Sequence, residues 1–280
     1  MELLFNYDLK DYDPSWPIST RPSARGIIFA EDNKIALVHS RKFNYYKFPG
    51  GGIHEDDEED KPAALIREVQ EETGLVVIPS TVKEYGYIRR MQKSNYLKDT
   101  IFLQDSFYYL CKVEKTVTQQ NLDDYEKDAE FELQFVDLQT AINANNEYNE
   151  DPFSVVMIAR ENLVLQKLLG VTPCPSVPFA KVLLEKSVEM NPGPWKNHSY
   201  AVAEAAEKIA VEMQKNGCNI NPEHAFVHGL LHDIGRREGV TYMRHVYTGY
   251  KYFHEMGFEK TAQICLTHSF NLKIIDDYIG

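Results

Sequence analysis

Three glutamates set opposite an apolar stripe constrain this chain more than any other feature. They lie in Arg67-Glu68-Val69-Gln70-Glu71-Glu72-Thr73-Gly74-Leu75. Leu65, Ile66 and Val69 recur at helical spacing, which predicts a helix over residues 61–73 with Gly74 as its C-terminal cap. On that helix Glu68, Glu71 and Glu72 are i, i+3 and i+4 neighbours, with Cβ atoms about 5–6 Å apart on one face. Like charges at this spacing cost about 0.2–0.5 kcal/mol per pair. A hard cation removes that cost: Mg²⁺ takes oxygen ligands at about 2.0–2.1 Å and keeps waters free for phosphate oxygens. Arg67 can reach Glu71 across one turn and hold its orientation. Just upstream, Phe48-Pro49-Gly50-Gly51-Gly52-Ile53 supplies a backbone turn without Cβ obstruction. Between the two, residues 55–60 are all acidic and read as a solvated loop.

Around this segment the chain has an α+β texture. Residues 24–30 and 34–40 flank a turn signal and are expected to form a hairpin. Residues 75–78, 101–113 and 131–136 read as strands, and residues 153–169 as a helix ending at Gly170. Residues 171–177, with Pro173, Pro175 and Ser176, read as a linker. Beyond it the pattern becomes helical, at 179–190, 199–216, 223–234, 245–256 and 259–268. Histidine usage shifts as well: of nine histidines only His39 and His54 precede His198. The expected division is therefore a first domain over residues 1–170, a linker over 171–178 and a second domain over 179–280.

Composition narrows the classes. A formal charge of -12 argues against wrapping nucleic acid, which needs clustered Lys and Arg. Cys111, Cys174, Cys218 and Cys265 form no CxxC pair, so they read as reduced thiols. No basic n-region with an apolar core opens the chain, and no apolar run approaches a membrane span. The expected setting is the cytoplasm, with a small-molecule partner and neither nucleic acid nor membrane. Oligomeric state is not readable.

The segment from Arg67 to Leu75 matches the second half of the Nudix box, Arg-Glu-apolar-x-Glu-Glu-x-Gly-apolar, at every defined position. The glycine half departs: Gly52 to Glu58 keeps the family interval, but Glu58 to Arg67 is one residue too long. The acidic loop thus carries an insertion, which puts Glu58 and Glu59 in doubt as site residues. The resemblance implies an α/β/α sandwich with a mixed sheet. It implies a Mg²⁺ or Mn²⁺ site on Glu68, Glu71 and Glu72, completed by a downstream glutamate, Glu130 first and Glu132 second. Gly51 and Gly52 would line the substrate, and Glu71 or Glu72 would act as base with Arg67 in support. The implied reaction is pyrophosphate cleavage in a nucleoside diphosphate linked to X. The rival is a regulatory protein that binds a nucleotide through the same fold without turnover. Tyr45, Tyr46 and Tyr87 read as packing residues or as stacking platforms for a base.

The second constellation is His232-Asp233, at the end of a helix that Asn221 and Pro222 begin. With His198 upstream and His245 and His268 downstream, it resembles the HD superfamily of metal-dependent phosphohydrolases. That implies an all-α domain with a divalent transition metal (Mn, Fe, Ni or Co) on His198, His232, Asp233, His245 and His268. The last aspartate of the pattern is not clearly present, since Asp276 and Asp277 follow His268 too closely. The chain stops at Gly280, where another helix or two is implied, so the domain is expected to be truncated or its site incomplete. His224, His228, His254 and His39 read as packed or solvated histidines, and His54 is not expected to touch phosphate. Arg236 and Arg237 read equally as phosphate ligands or as solvated residues.

Overall fold

The computed structural model describes residues 1–30, 32–54 and 60–269. Its internal contacts separate two units, Met1–Glu150 with Arg160–Leu169, and Asp151–Ala159 with the chain from Gly170 onward.

The first unit is α+β. It contains strands β1 (Leu3–Asp8), β2 (Ile18–Thr20), β3 (Ser23–Ile27), β4 (Ile35–Ser40) and β5 (Tyr45–Lys47), then helix α1 (Lys61–Thr73). There follow β6 (Leu75–Val77), β7 (Lys83–Lys93), β8 (Ile101–Leu110), β9 (Val113–Val117), α2 (Asp124–Asp128), β10 (Phe131–Val136) and α3 (Leu138–Glu147). Helix α4 (Pro152–Leu169) contributes its second half to this unit. The largest sheet is mixed: β7 pairs antiparallel with β8, while β1 runs parallel to β7 and both β2 and β3 run parallel to β8. A second, antiparallel sheet has the order β10-β4-β5, and β6 pairs with β9.

Helix α1 forms where its sequence signals place it. The Asp60 side chain accepts from Ala63 N at 3.1 Å, Pro62 sits in the first turn, and Gly74 closes the helix at φ 73°. Leu65 and Val69 are fully buried against Ala24, Ile28 and Tyr109. Each such side chain contributes about 1.5–3 kcal/mol of burial. This packing fixes which face of α1 turns toward the glycine segment.

Several expectations change. Residues 24–30 and 34–40 pair as a hairpin only at their near ends, where Ala30 N donates to the Lys34 carbonyl at 2.8 Å and Ala36 N to the Ile28 carbonyl at 2.9 Å around the Phe29–Ile35 bridge. Beyond that, β3 joins the mixed sheet and β4 the antiparallel one. β3 is buried at all five positions, as a strand covered on both faces is, and takes a parallel neighbour. The strand expected over 101–113 stops at Leu110, and β9 continues separately. The long strand β7 is absent from the strands expected above. Its inward positions are Gly86, Ile88, Arg90 and Gln92, so the period-2 burial is not a period-2 hydrophobicity.

The second unit is all-α where described: α5 (Val177–Met190), α6 (Trp195–Lys215), α7 (Pro222–Leu231), a 3-10 turn over Ile234–Glu238, α8 (Arg244–Glu255) and α9 (Glu259–Thr267). Ser176 caps α5, so that helix begins inside the segment read as a linker. Asn221 caps α7 through Glu223 N and His224 N. Leu230, Leu231, Phe253, Phe258 and Ala262 supply buried core residues. Among the described residues no helix is long and apolar enough to cross a membrane.

Candidate active sites

In the first unit, α1 presents its glutamates in two directions. Glu68 and Glu71 share Arg67, whose Nη1 lies 2.7 Å from Glu68 Oε1 and 3.1 Å from Glu71 Oε2. Arg67 Nη2 also donates to the Gly52 carbonyl at 3.4 Å, tying the helix to the glycine turn. Burial pushes the Glu68 carboxyl up, with Arg67 pulling the other way. Glu68 lies directly against Gly51, where an added Cβ would stand 2.0 Å from Glu68 Oε2. A partly buried carboxylate whose one cationic neighbour is shared with a second carboxylate has the hard-oxygen chemistry and the charge deficit that suit Mg²⁺.

Glu72 faces elsewhere. It is buried, with Oε1 held by Lys47 Nζ at 2.6 Å and Oε2 by Gly50 N at 2.8 Å. Burial pushes its carboxyl up to about 7 against the pull of Lys47 and the Gly50 amide. Both oxygens are committed, so Glu72 anchors the glycine turn and does not join the expected face with Glu68 and Glu71. Among the described residues, donor atoms of the three glutamates do not gather within 4.8 Å of one another.

The downstream glutamate also differs. Glu130, at φ 53°, turns its carboxylate to Arg41 Nε at 2.8 Å. Glu132 pairs with His39 at 3.3 Å and accepts from Gln134. Both carboxylates are thus paired with groups outside α1. A carboxylate that acts on the α1 glutamates is Glu126 on α2, buried and 3.9 Å from Lys47 Nζ, where its charge raises the carboxyls of both Glu68 and Glu72. Its signal was the capping box: Asp123 N donates to Glu126 Oε2 at 2.9 Å. Glu58 and Glu59 lie outside the described residues.

The turn itself hangs on a buried charge network. Arg25 Nη1 donates to the carbonyls of Phe48 at 3.0 Å and Gly50 at 3.2 Å, and Glu161 Oε2 accepts from Phe48 N at 3.1 Å. Glu161 in turn pairs with Arg160 and, at 3.7 Å, with Arg25 Nε. Sequence reasoning missed all of these, since buried arginines carry no periodic signal. Tyr45 packs edge-on to Phe131 and Tyr148, Tyr46 stacks on His39, and Tyr87 lies against Phe107.

In the second unit, the end of α7, the start of α8 and the end of α9 converge on Asp233. Its Oδ1 lies 3.0 Å from His245 Nε2 and 3.3 Å from His268 Nε2, and its Oδ2 lies 3.6 Å from His232 Nε2. His198, from the first turn of α6, stands against the His232 ring at 5.2 Å between centroids. All five residues expected here are brought together, as the donor groups His198, His232, Asp233 and Asp233, His245, His268.

The tautomers are fixed by the backbone. Nδ1 of His232, His245 and His268 each faces the carbonyl three residues earlier, of Gly229, Tyr242 and Cys265. A ring donating there turns its Nε2 lone pair inward. His245 Nε2 and Asp233 Oδ1 are both buried without a hydrogen-bond partner. Two facing acceptors need a cation between them, and imidazole plus carboxylate suits a divalent transition metal. Burial opposes ionisation of Asp233, but its carboxyl is held well below the usual range, with the Arg236 guanidinium among the groups that favour its charged form. Arg236 Nε pairs with Asp233 Oδ2 at 2.6 Å, and Arg237 is buried over the Tyr252 ring, so neither is merely solvated. Asp276 and Asp277 lie outside the described residues.

The sequence pattern of the NUDIX domain matches residues 19–157, and that of the HD domain matches residues 195–276. The chain carries a NUDIX domain followed by an HD domain. The NUDIX domain makes it a Nudix-type pyrophosphohydrolase, and both families are generally metal-dependent. Among curated proteins nothing matches the chain. Solved structures similar to it include MutT studied from Aliivibrio salmonicida and Vibrio cholerae, at 15% identity, covering 52% of this chain and 99% of that one, with a TM-score of 0.32. A NUDIX hydrolase from Nitrosomonas europaea is 19% identical over 52% of this chain and 90% of its own, with a TM-score of 0.35. An ADP-ribose pyrophosphatase from Streptococcus suis is 20% identical over 43% and 76%, with a TM-score of 0.28.

Next to the HD cluster, His228 titrates out of its ordinary range. Burial, reinforced by His224 and Lys260, holds it down to about 4, and Thr261 Oγ1 lies 3.4 Å from its Nδ1. The folded state thus favours the neutral ring. Its contribution is whole above the unfolded value of about 6.5 and is lost as pH falls from there toward 4. Between pH 7.5 and 5 this amounts to about 2 kcal/mol. Urea unfolding of wild type and His228→Gln at the two pH values checks it: the wild type should lose more stability on acidification by about that amount.

Proposed function

We propose that the NUDIX domain cleaves the pyrophosphate of a nucleoside diphosphate linked to X, with Glu68 and Glu71 holding Mg²⁺ or Mn²⁺. The supporting observation is the Arg67 fork: one guanidinium orients both carboxylates beside Gly51 and Gly52, leaving their remaining oxygens to a cation. When bound, the ion supplies charge neutralisation on the phosphate oxygens and a more acidic water. Gly52, where an added Cβ would meet nothing within 4 Å, leaves backbone surface free for the substrate, and Gly51 beside it gives the Glu68 carboxylate room. Glu71, the more exposed carboxylate, is the base, and Glu72 positions the turn through Gly50. Glu126 adds negative charge behind Lys47 and Glu72.

We further propose that the HD domain hydrolyses a phosphate ester, with His198, His232, Asp233, His245 and His268 holding a divalent transition metal. In this reading residues 171–178 connect the two domains along the chain.

The test is hydrolysis of a nucleotide panel by the full chain with Mg²⁺ or Mn²⁺. Glu71→Gln should lower NUDIX turnover about 100-fold without changing a Mn²⁺-dependent phosphatase activity, and Asp233→Ala should do the reverse. Tight nucleotide binding with no turnover of any panel member would instead favour a regulatory binder.

A further inference from the structure

We propose that the substrate of the HD site is an organic phosphate bearing a second anionic group about 12 Å from the phosphate at the metal cluster, and that Lys260 recognises that group. This rests on the phosphohydrolase reading of the cluster.

A cavity of about 820 Å³ opens beside the cluster, a volume that suits a ligand of nucleotide size. Three helices wall it, each with residues spaced i, i+4 and i+8. α6 gives His198, Val202 and Ala206, α7 gives His224, His228 and His232, and α9 gives Lys260, Ile264 and His268. Each row begins or ends on a histidine of the metal cluster. The cavity is therefore a trough, with His198, His232 and His268 at one end and Ala206, His224 and Lys260 at the other. Eight residues at 1.5 Å each set its length at about 12 Å.

The chemistry changes along the trough. The cluster end takes the scissile phosphate. The middle is apolar, with Val202 and Ile264 facing a His228 ring that burial keeps neutral. This stretch suits a hydrocarbon or aromatic body. The far end carries the ammonium of Lys260, exposed, with no salt bridge among the described residues. Its charge reaches His224 and His228, whose protonation it opposes, and Glu223 is the acid that faces His224. In a chain of formal charge -12, a cation that makes no salt bridge among the described residues, with Glu223 as the acid in its neighbourhood, is placed for an anion at the end of a ligand-sized cavity.

The test uses the full chain loaded with Mn²⁺ and four probes: octyl phosphate, 1,8-octanediol bisphosphate, its carboxylate analogue 9-(phosphonooxy)nonanoate, and 1,3-propanediol bisphosphate, which is too short to span the trough. Affinity is measured by calorimetry and turnover by phosphate release. The octanediol bisphosphate should bind about tenfold tighter than octyl phosphate, as one charge-assisted contact provides, and the short bisphosphate should gain nothing. A comparable gain for the carboxylate probe would mark the far group as any anion, and a gain for the bisphosphate alone as a phosphate. Lys260→Ala should erase the gain by raising KM with kcat unchanged, and Lys260→Arg should keep it. Equal affinity for the long bisphosphate and octyl phosphate, or a gain that survives Lys260→Ala, overturns the inference while leaving the phosphohydrolase reading intact. If octyl phosphate shows no metal-dependent binding, p-nitrophenyl phosphate is not hydrolysed and Asp233→Ala changes neither, the reading itself fails and takes the inference with it.

Discussion

Glu161→Gln is expected to cost the first unit about 3–5 kcal/mol, enough to unfold it or leave it marginal at room temperature. Glu161 is fully buried and faces Arg160 and Arg25. Burial, the largest influence on it, raises its carboxyl, but the two arginines outweigh this and hold it below the usual range. A third buried arginine, Arg90, is pushed down to about 9 by burial and by its cationic neighbours. Among the described residues Glu161 is the carboxylate paired with both Arg25 and Arg160, and its charge also favours the charged form of Arg90. Glutamine keeps the volume and can still accept from Phe48 N, but it leaves Arg25 and Arg160 without a counter-charge. Removing one partner of a buried pair costs far more than the pair itself contributes. Urea unfolding followed at the first transition checks this, and a loss below about 1 kcal/mol would show that the cluster is solvated or internally compensated. The same change should loosen the Phe48–Pro49–Gly50 backbone, because Arg25 holds two of its carbonyls.

How much of this was legible depends on what carries each element. α1 could be read because Leu65 and Val69 mark its buried face while Asp60 and Gly74 mark its ends. The histidine–aspartate cluster could be read because its residues sit at helix ends, where five side chains from four segments can meet. β7 could not, since its inward face holds Arg90 and Gln92, which break the apolar alternation that marks a half-buried strand. The direction of Glu72 was likewise hidden. Helical spacing groups it with Glu68 and Glu71, but Lys47 on β5 and the Gly50 amide claim its oxygens. Glu130 is the residue that the resemblance to the family's downstream glutamate favours. Its positive φ turns it toward Arg41, and Glu126, one helical turn earlier, takes the place near Lys47. In each miss a tertiary charge partner decided a direction that local spacing left open.

The glycine turn yields the second large expectation, a contrast between neighbouring residues. At Gly51 the three atoms nearest an added Cβ all belong to the carboxylate end of Glu68, with Oε2 at 2.0 Å. That end can swing away, so Gly51→Ala should fold with a stability change within about 1 kcal/mol. The displaced carboxylate would leave Arg67 and the proposed cation, and Mg²⁺ affinity should fall about 10–100-fold, with turnover falling at least as far. At Gly50 the Cβ would meet backbone, with Ala24 O at 2.1 Å and Arg25 Cα at 2.8 Å, and the residue sits at φ 133°. Neither neighbour can swing, and the conformation itself strains an L side chain. Gly50→Ala should therefore destabilise the first unit by at least about 2 kcal/mol. Thermal unfolding and Mg²⁺ calorimetry on the two variants separate the effects. A Gly51→Ala protein that binds Mg²⁺ as the wild type does would remove Glu68 from the metal site. If Gly51→Ala and Gly50→Ala were equally destabilising, the turn would be packing as one rigid piece against both α1 and β3, and Glu68 would be part of its support.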